Sequence, residues 1–465
     1  MDLIRGTLVL SPPYYLMALC IPLLPIFVLI VLEYVHRREE QVAPAGYRPF
    51  GLMADSRLKD QYDKRHEKEG TCGTRPDGSP RVEVKGLFVY PVKSCAPVEL
   101  QHGEVVSTGL RFDRQFSFAQ LVSSKPPVQH RWICITEREF PRLALVRTHL
   151  WIPDPKSPTY SAEGEWVKSG GCIVVSFPFS PDWSELVKAI ASSLGAKLRQ
   201  MNIWAEPQIS FRIPFDPPRD RMKEKGYSTT ERMKIFADEP EALNMSAEIP
   251  ANILAKLKYT LGVSNTFTLF RVDNEKRRDL FRCAPRKDEI GYQPVVGFSD
   301  AYPLHLLNLA SVRDVASKLG PTGPRTLDAL RFRSNIYVTG PAAFAEDGWK
   351  RIRIGSATYH VACRTARCGL PNVDPATGIK DANEPSTTLR AYRCVDEGAG
   401  TEGPGRVACL GVQLVPAKEL GAVKVSDEVE VLETGEHWFI AGGVEREEQD
   451  RLYYALKEKG RKGAG

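Results

Sequence analysis

The chain has 465 residues, 42% of them hydrophobic, 26% charged and 9% aromatic, with a net charge of +6. That length is enough for two or three domains with a large buried core, and the composition is ordinary for a globular protein. The small positive excess forms no clustered basic stripe, so nucleic acid is not an expected partner.

Residues 6–32 carry no charge, a stretch long enough to span a bilayer as a helix. Pro22 and Pro25 fall within it, and membrane helices tolerate proline better than soluble ones. Tyr14, Tyr15 and Tyr34 lie near its ends, where interfacial aromatics anchor a span. A cleaved signal peptide is the competing reading. The apolar run is too long for one, and the nearest small-residue site, Ala43-Pro44-Ala45, lies beyond a charged block. His36, Arg37 and Arg38 follow the span directly, which places the remainder of the chain on the cytosolic side. Residues 1–36 are therefore expected to form a membrane anchor in contact with lipid. Residues 37–80, charged and rich in Gly and Pro, are expected to form a flexible tether.

A strand-rich region begins at Val82. The β-prone run from Val82 to Tyr90 stops at Pro91. Further strands are expected at Arg114–Val122, Arg131–Thr136, Leu143–Arg147 and Cys172–Phe177, at a spacing that suggests a barrel or sandwich. Helices are expected at Asp182–Leu198, at Asn252–Leu261 and from an N-cap at Ser311 to Gly320, with Asp314 complementing the first turn of the last. A second strand-rich block runs from about Asp328 to Leu432. In it, Ile352–Ala362 reads as a hairpin turning at Gly355-Ser356. Residues 207–288 have mixed character and weak boundaries.

The ten cysteines are scattered and include no CxxC pair. This excludes a dense disulfide scaffold, a zinc ribbon and a thioredoxin-like motif, and points to reduced thiols, most of them buried. Cys363 and Cys368 are the nearest pair. In a helix they would lie roughly 140° apart and in a strand on opposite faces, so regular geometry gives them no shared metal site. Cys363 ends an alternating strand, a packing position. Cys368 follows Arg367 and precedes Gly369, Pro371 and a turn, which is an exposed loop setting beside a cation. A thiolate there suits a soft or high-valent metal.

Read as a strand, Leu330–Gly340 places Arg331, Arg333, Asn335 and Tyr337 on one face. Two guanidinium forks and an amide suit a phosphate or a polar heterocycle, although a solvated strand face would look the same. Lys93-Ser94, in the loop after Tyr90, and Arg114, after Asp113, are ambiguous alone.

Six stretches in order carry a family resemblance: Tyr90–Cys95, Gly109–Arg114, Thr136–Val146, Phe298–Pro303, Phe332–Ile336, and Arg367-Cys368 followed by Val373–Gly378. Together they resemble the MOSC family, in the branch that joins an N-terminal β-barrel domain to a MOSC domain and whose membrane-anchored members reduce amidoximes. The resemblance implies a strand-rich α+β fold after the N-terminal transmembrane helix. A β-barrel-type domain would occupy residues 82–280 and a β-barrel MOSC domain residues 281–435, with peripheral helices and a C-terminal tail at 436–465. It implies a molybdenum cofactor, a molybdopterin with Cys368 as metal ligand and catalytic thiolate. Lys93, Ser94, Arg114, Arg333, Asn335 and Arg367 would hold the pterin and its phosphate. It implies electrons from a haem-b cytochrome and its NADH-dependent flavin reductase, small N-hydroxylated substrates, and an outer mitochondrial membrane more than the endoplasmic reticulum. Two departures stand out: Ala366 where relatives carry a small hydroxyl residue, and Pro371-Asn372 in place of a hydroxyl-rich pair. Other readings are a cofactor carrier or sulfur-transfer protein, a membrane-tethered interaction module with Cys368 merely packed, and a cysteine hydrolase. The last lacks a recognisable base motif around His305 or His360.

Overall fold

The computed structural model describes residues 24, 27, 44–123, 129–180, 193, 194, 197, 206–227, 230–320, 323, 324, 326–400, 402, 403 and 405–463. The expected anchor, except Leu24 and Phe27, and all but three residues of the expected Asp182–Leu198 helix lie outside them. No described helix is long and apolar enough to cross a membrane.

Two closed barrels organise the fold. The larger has seven strands in the order Ile336–Thr339, Leu304–Asn308, Cys409–Pro416, Ala357–Ala366, Trp349–Ile354, Glu428–Thr434 and Val82–Val89; the last pairs back to the first, and Val98–Leu100 adds beside it. Ile336–Thr339 and Leu304–Asn308 are buried along their whole length, as strands covered on both faces must be. Trp349–Ile354 and Ala357–Ala366 form the hairpin legible in the sequence. Ile354 faces Ala357 across a two-residue turn, with Gly355 at φ 55°. The smaller barrel has five strands, Glu231–Lys234, Glu241–Asn244, Phe267–Val272, Phe116–Ser123 and His130–Cys134. A parallel pairing of Met233 with Trp132 closes it. Tyr47–Phe50, Arg147–Pro153, Cys172–Pro178 and Gln208–Pro214 make an antiparallel sheet alongside.

Several expectations are corrected. Val82–Val89, which the resemblance places in the N-terminal barrel-like domain, pairs with Ile336–Thr339 and Glu428–Thr434 and so completes the seven-stranded barrel. The segment expected as a tether is partly built into the fold: Tyr47–Phe50 pairs with Arg147–Pro153, and Leu58, 1% exposed, packs against Phe88 and Leu327 in one apolar cluster. The expected strand at Leu143–Arg147 is a 3-10 turn, Pro141–Leu145, because proline presets the helical φ at its start; extended chain follows from Arg147. The helix expected from Ser311 spans Leu309–Ser317. Its cap is Asn308, whose side chain accepts from the Ala310 N–H at 3.0 Å. The C-terminal tail carries a helix, Arg446–Gly463, tied down by Arg286 to Asp450 at 2.9 Å and by Tyr453 to Glu289 at 2.6 Å.

Ser311 is instead interior to its helix, where its hydroxyl donates to Glu346 at 2.7 Å; Asn308 also donates to this carboxylate, at 3.3 Å. Burial, together with neighbouring Asp347, pushes the Glu346 pKa up to about 7. A carboxyl whose folded pKa is raised stabilises the fold below its unfolded value, and that stability is lost as pH rises through the folded one. Glu346→Gln keeps a hydrogen-bond acceptor for Ser311 without the charge. The variant is expected to gain on the parent by up to about 3 kcal/mol between pH 4.5 and pH 8. Urea midpoints of both proteins across that range measure it; parallel pH profiles would refute the assignment.

Candidate functional site

The site forms where the two barrels meet. Beyond Val89 the chain leaves the larger barrel, and the Lys93 N–H reaches the Phe116 carbonyl of the smaller one at 2.7 Å; the Phe116 N–H returns to the Pro91 carbonyl at 3.0 Å. A turn closed by the Cys95 N–H on the Val92 carbonyl, 3.1 Å, sets Lys93 and Ser94 at its centre. Both are buried rather than solvated, at 5% and 4% exposure. Lys93 donates to the Phe298 carbonyl at 3.0 Å and pairs with Asp300.

Arg114 and Arg333 flank the ring of buried Tyr90, their guanidinium carbons 4.6 Å and 4.3 Å from its centroid. Arg114 donates to Asn335 Oδ1 and to the Arg333 carbonyl, each at 3.0 Å, and pairs with Asp113. Arg333 donates to Glu137 at 3.0 Å and to the Cys95 carbonyl at 2.8 Å. Asn335 Oδ1 also accepts from the His305 N–H at 3.2 Å, and Arg367 donates to His305 Nε2 at 2.7 Å. The hydrogen-bond network therefore runs from Glu137 through Arg333, Arg114, Asn335 and His305 to Arg367. Ser94 has no described hydrogen bond from its side chain but is fixed beside Lys93 by the turn.

Backbone conformation marks the same residues. Ser94, Arg114 and Arg333 have φ of 63°, 46° and 52°, left-handed values that ordinary residues avoid. Such conformations persist only where the surroundings enforce them, and they concentrate at binding sites. The left-handed Arg333 also corrects the strand expected at Leu330–Gly340. Asp328 caps a 3-10 turn, Ala329–Phe332, and extended chain begins only at Ile336. Arg331 consequently points elsewhere. It donates to the carbonyls of Pro371 and Asn372 and to Asp374 at 2.6 Å, pinning the loop that follows Cys368. Pro371 and Asn372 are buried in that loop. The Asn372 side chain accepts from Ser386 Oγ at 2.6 Å and donates to the Asp381 carbonyl. Its amide thus holds the loop together instead of lining a mouth.

Cys368 is exposed, and its Sγ makes no hydrogen bond among the described residues. Cys363 is fully buried at a packing position, beside Tyr302 and Val415. Arg367 keeps a solvent-facing edge, yet desolvation holds its pKa down to about 10. It donates to the carbonyls of Leu410 and Phe332 and to His305, and has no carboxylate partner among the described residues. His305 in turn is held well below its usual pKa by burial and by the charges of Arg367 and Arg114. It is a neutral ring whose Nε2 accepts.

Sequence reasoning missed Glu137, Asp300, Tyr90 and His305 as parts of this network. Glu137 and Asp300 lie inside two of the quoted stretches, Thr136–Val146 and Phe298–Pro303. Their role as counter-ions emerges only when the fold brings them to Arg333 and Lys93. Burial pushes the Glu137 pKa up to about 7 against the opposing pull of Arg333, whereas Lys93 helps hold Asp300 below the usual carboxylate range.

Against this geometry stand the comparisons with known proteins. The MOSC N-terminal beta barrel domain matches residues 81–165 and the MOSC domain residues 293–430. Human mitochondrial amidoxime-reducing component 1 is 34% identical over 349 residues, covering 75% of this chain and 82% of that protein. The chain belongs to the MOSC family. Other relatives of this MOSC protein are the component 2 of Macaca fascicularis, 28% identical over 67% of the chain and 73% of the relative, and a rice molybdenum cofactor sulfurase. The latter is 21% identical over 67% of the chain but only 31% of its own length, so the likeness is to one part of a larger protein. Six of the seven expected site residues of this MOSC protein lie in or beside the barrel junction, and Cys368 directly follows the last of them.

Proposed function

We propose that this protein is a molybdenum-cofactor-dependent reductase of N-hydroxylated compounds, amidoximes and hydroxylamines among them, with Cys368 as the metal ligand. The observation that carries the reading is Arg367: a desolvated guanidinium without a carboxylate partner among the described residues, immediately before an exposed cysteine, and linked through His305 and Asn335 to Arg114 and Arg333. Burying such a charge uncompensated is costly, and an anionic pterin phosphate compensates it. Lys93, Arg114, Arg333 and Arg367 would hold that anion, with Asn335 fixing Arg114 and Ser94 offering a hydroxyl. Charge-assisted hydrogen bonds contribute about 1.5–3 kcal/mol each, so a few suffice to retain the group without a covalent link.

When bound, the cofactor supplies two-electron oxygen-atom chemistry. Reducing R–C(NH2)=N–OH consumes two electrons and two protons and yields R–C(NH2)=NH and water. The electrons come from a haem-b cytochrome fed by an NADH-dependent flavin reductase. The names of the relatives, amidoxime-reducing components, support the substrate class, and their description as mitochondrial supports an outer-membrane location with residues 1–36 as anchor. The sulfurase likeness favours a second reading, a cofactor carrier.

Purified from a host that makes the cofactor, the protein is expected to contain close to one molybdenum per chain and to reduce benzamidoxime with cytochrome, reductase and NADH. Molybdenum without reduction would identify a carrier, and absence of molybdenum would leave only an interaction module.

Glu137 gives a pH signature. Deprotonated, it neutralises Arg333 and competes with an anionic ligand; protonated, it frees that charge. With a pKa near 7, cofactor retention is expected to fall as pH rises from 6 to 8. Glu137→Gln should flatten the profile at its low-pH level. Molybdenum remaining after dialysis at each pH is the measurement, and an unchanged slope in the variant would exclude this role.

A further inference from the structure

None of the seven residues above lines the cavity of ≈ 430 Å³ that lies beside the turn at residues 168–171. Its apolar wall is built on Phe112 and Phe215, whose rings stack with centroids 4.3 Å apart at 25°. Phe112 is held at φ 70°, a conformation that a bulky side chain adopts only under constraint. Gly171, at φ 123°, lets the turn press against Phe215; a Cβ there would lie 2.7 Å from that ring. Two elements are thus brought unusually close to form this wall.

The rim is cationic and incompletely neutralised. Arg111 pairs with Glu104 at 2.8 Å and Arg271 with Asp216 at 3.0 Å. Arg277 has no carboxylate partner among the described residues. Among those residues it donates only to Ser107 Oγ at 3.1 Å and Asn274 Oδ1 at 3.3 Å, and its buried Nε finds no partner among them. The wall also contains Ser169, 2% exposed, whose Oγ makes no hydrogen bond among the described residues. Buried polar atoms are normally satisfied, so two unsatisfied donors in one cavity call for an acceptor from outside.

We propose that this cavity binds a small organic anion, its carboxylate bonded by Arg277 with the Ser169 hydroxyl as second donor, and its flat apolar body against Phe112 and Phe215. Inorganic phosphate satisfies the donors but has no group to place against the apolar lining, so the apolar body distinguishes the expected ligand class. The site is independent of molybdenum.

Titration calorimetry of the full chain with 2-naphthoate, and separately with phosphate, tests this. One naphthoate should bind per chain, at least tenfold more tightly than phosphate. Arg277→Gln should weaken it at least tenfold, and Cys368→Ala should leave it unchanged. Should the Gln variant fold poorly, Ser169→Ala removes an unsatisfied hydroxyl, so it is expected to fold and to bind naphthoate several-fold more weakly. No saturable binding, equal affinity for phosphate, unchanged binding in the folded variants, or loss of binding in Cys368→Ala would overturn the proposal.

Discussion

Cys368→Ala is expected to lower NADH-driven benzamidoxime reduction by about a thousandfold or more, equivalent to about 4 kcal/mol of lost transition-state stabilisation. Its thermal midpoint should stay within about 2 °C of the parent. Both halves follow from the same geometry. The thiol is exposed and belongs to no core cluster, so its removal leaves neither a cavity nor an unpaired donor. Its loop is held by Arg331 and by Asn372 with Ser386, none of which uses the sulfur. Cys363→Ala is the informative contrast, five residues away. That thiol is buried beside Tyr302 and Val415, so truncation should cost about 1 kcal/mol of stability while molybdenum content and turnover persist. A Cys368→Ala protein that retains metal and full activity would end the ligand assignment. So would a Cys363→Ala protein that is fully stable but free of molybdenum.

The separation of these two cysteines was legible in the sequence because each lies in a context with its own signature, one in an alternating strand and the other between an arginine and a proline-rich turn. The barrel strands Phe116–Ser123 and Trp349–Ile354 and the sheet strand Cys172–Pro178 were legible for the same reason: β-branched and aromatic residues between turn formers. Arg331 shows the limit of such patterns. Residues 330–340 alternate well enough for a strand, but Asp328 capping the Leu330 N–H and a left-handed Arg333 override the pattern locally. Strand partners were less legible still. Nothing in Val82–Val89 states that it pairs with Ile336–Thr339, some 250 residues on, and that pairing is what carries Lys93 to the barrel junction. The counter-ions Glu137 and Asp300 are likewise about 200 residues from the cations they neutralise. Charge type is visible locally, whereas charge compensation is a property of the fold.

Asn335→Leu should be the most destabilising single change at the site, by about 4 kcal/mol, with loss of the cofactor. Asn335 is 1% exposed, and both the oxygen and the nitrogen of its amide are bonded. Oδ1 accepts from Arg114 and from the His305 N–H, and Nδ2 donates to the Phe88 carbonyl at 3.0 Å. It thereby joins the Val82–Val89, Leu304–Asn308 and Ile336–Thr339 strands at the end of the larger barrel that faces the smaller one. Leucine fills the volume but strands a buried carbonyl and a buried N–H, each costing about 1–3 kcal/mol, and releases Arg114 from its orientation. Asn335→Asp separates structure from binding. It keeps the acceptor for Arg114 and His305 and loses only the donor to the Phe88 carbonyl, so less stability should be lost than in the leucine variant, but it adds a negative charge that Arg114 must neutralise in place of a ligand phosphate. Urea unfolding and molybdenum content should therefore part company: both fall in the leucine variant, and chiefly the metal falls in the aspartate variant. A leucine variant within 1 kcal/mol of the parent would show that the amide does not clamp the barrel end. An aspartate variant with full metal content would show that the charge at Arg114 does not help hold the anion.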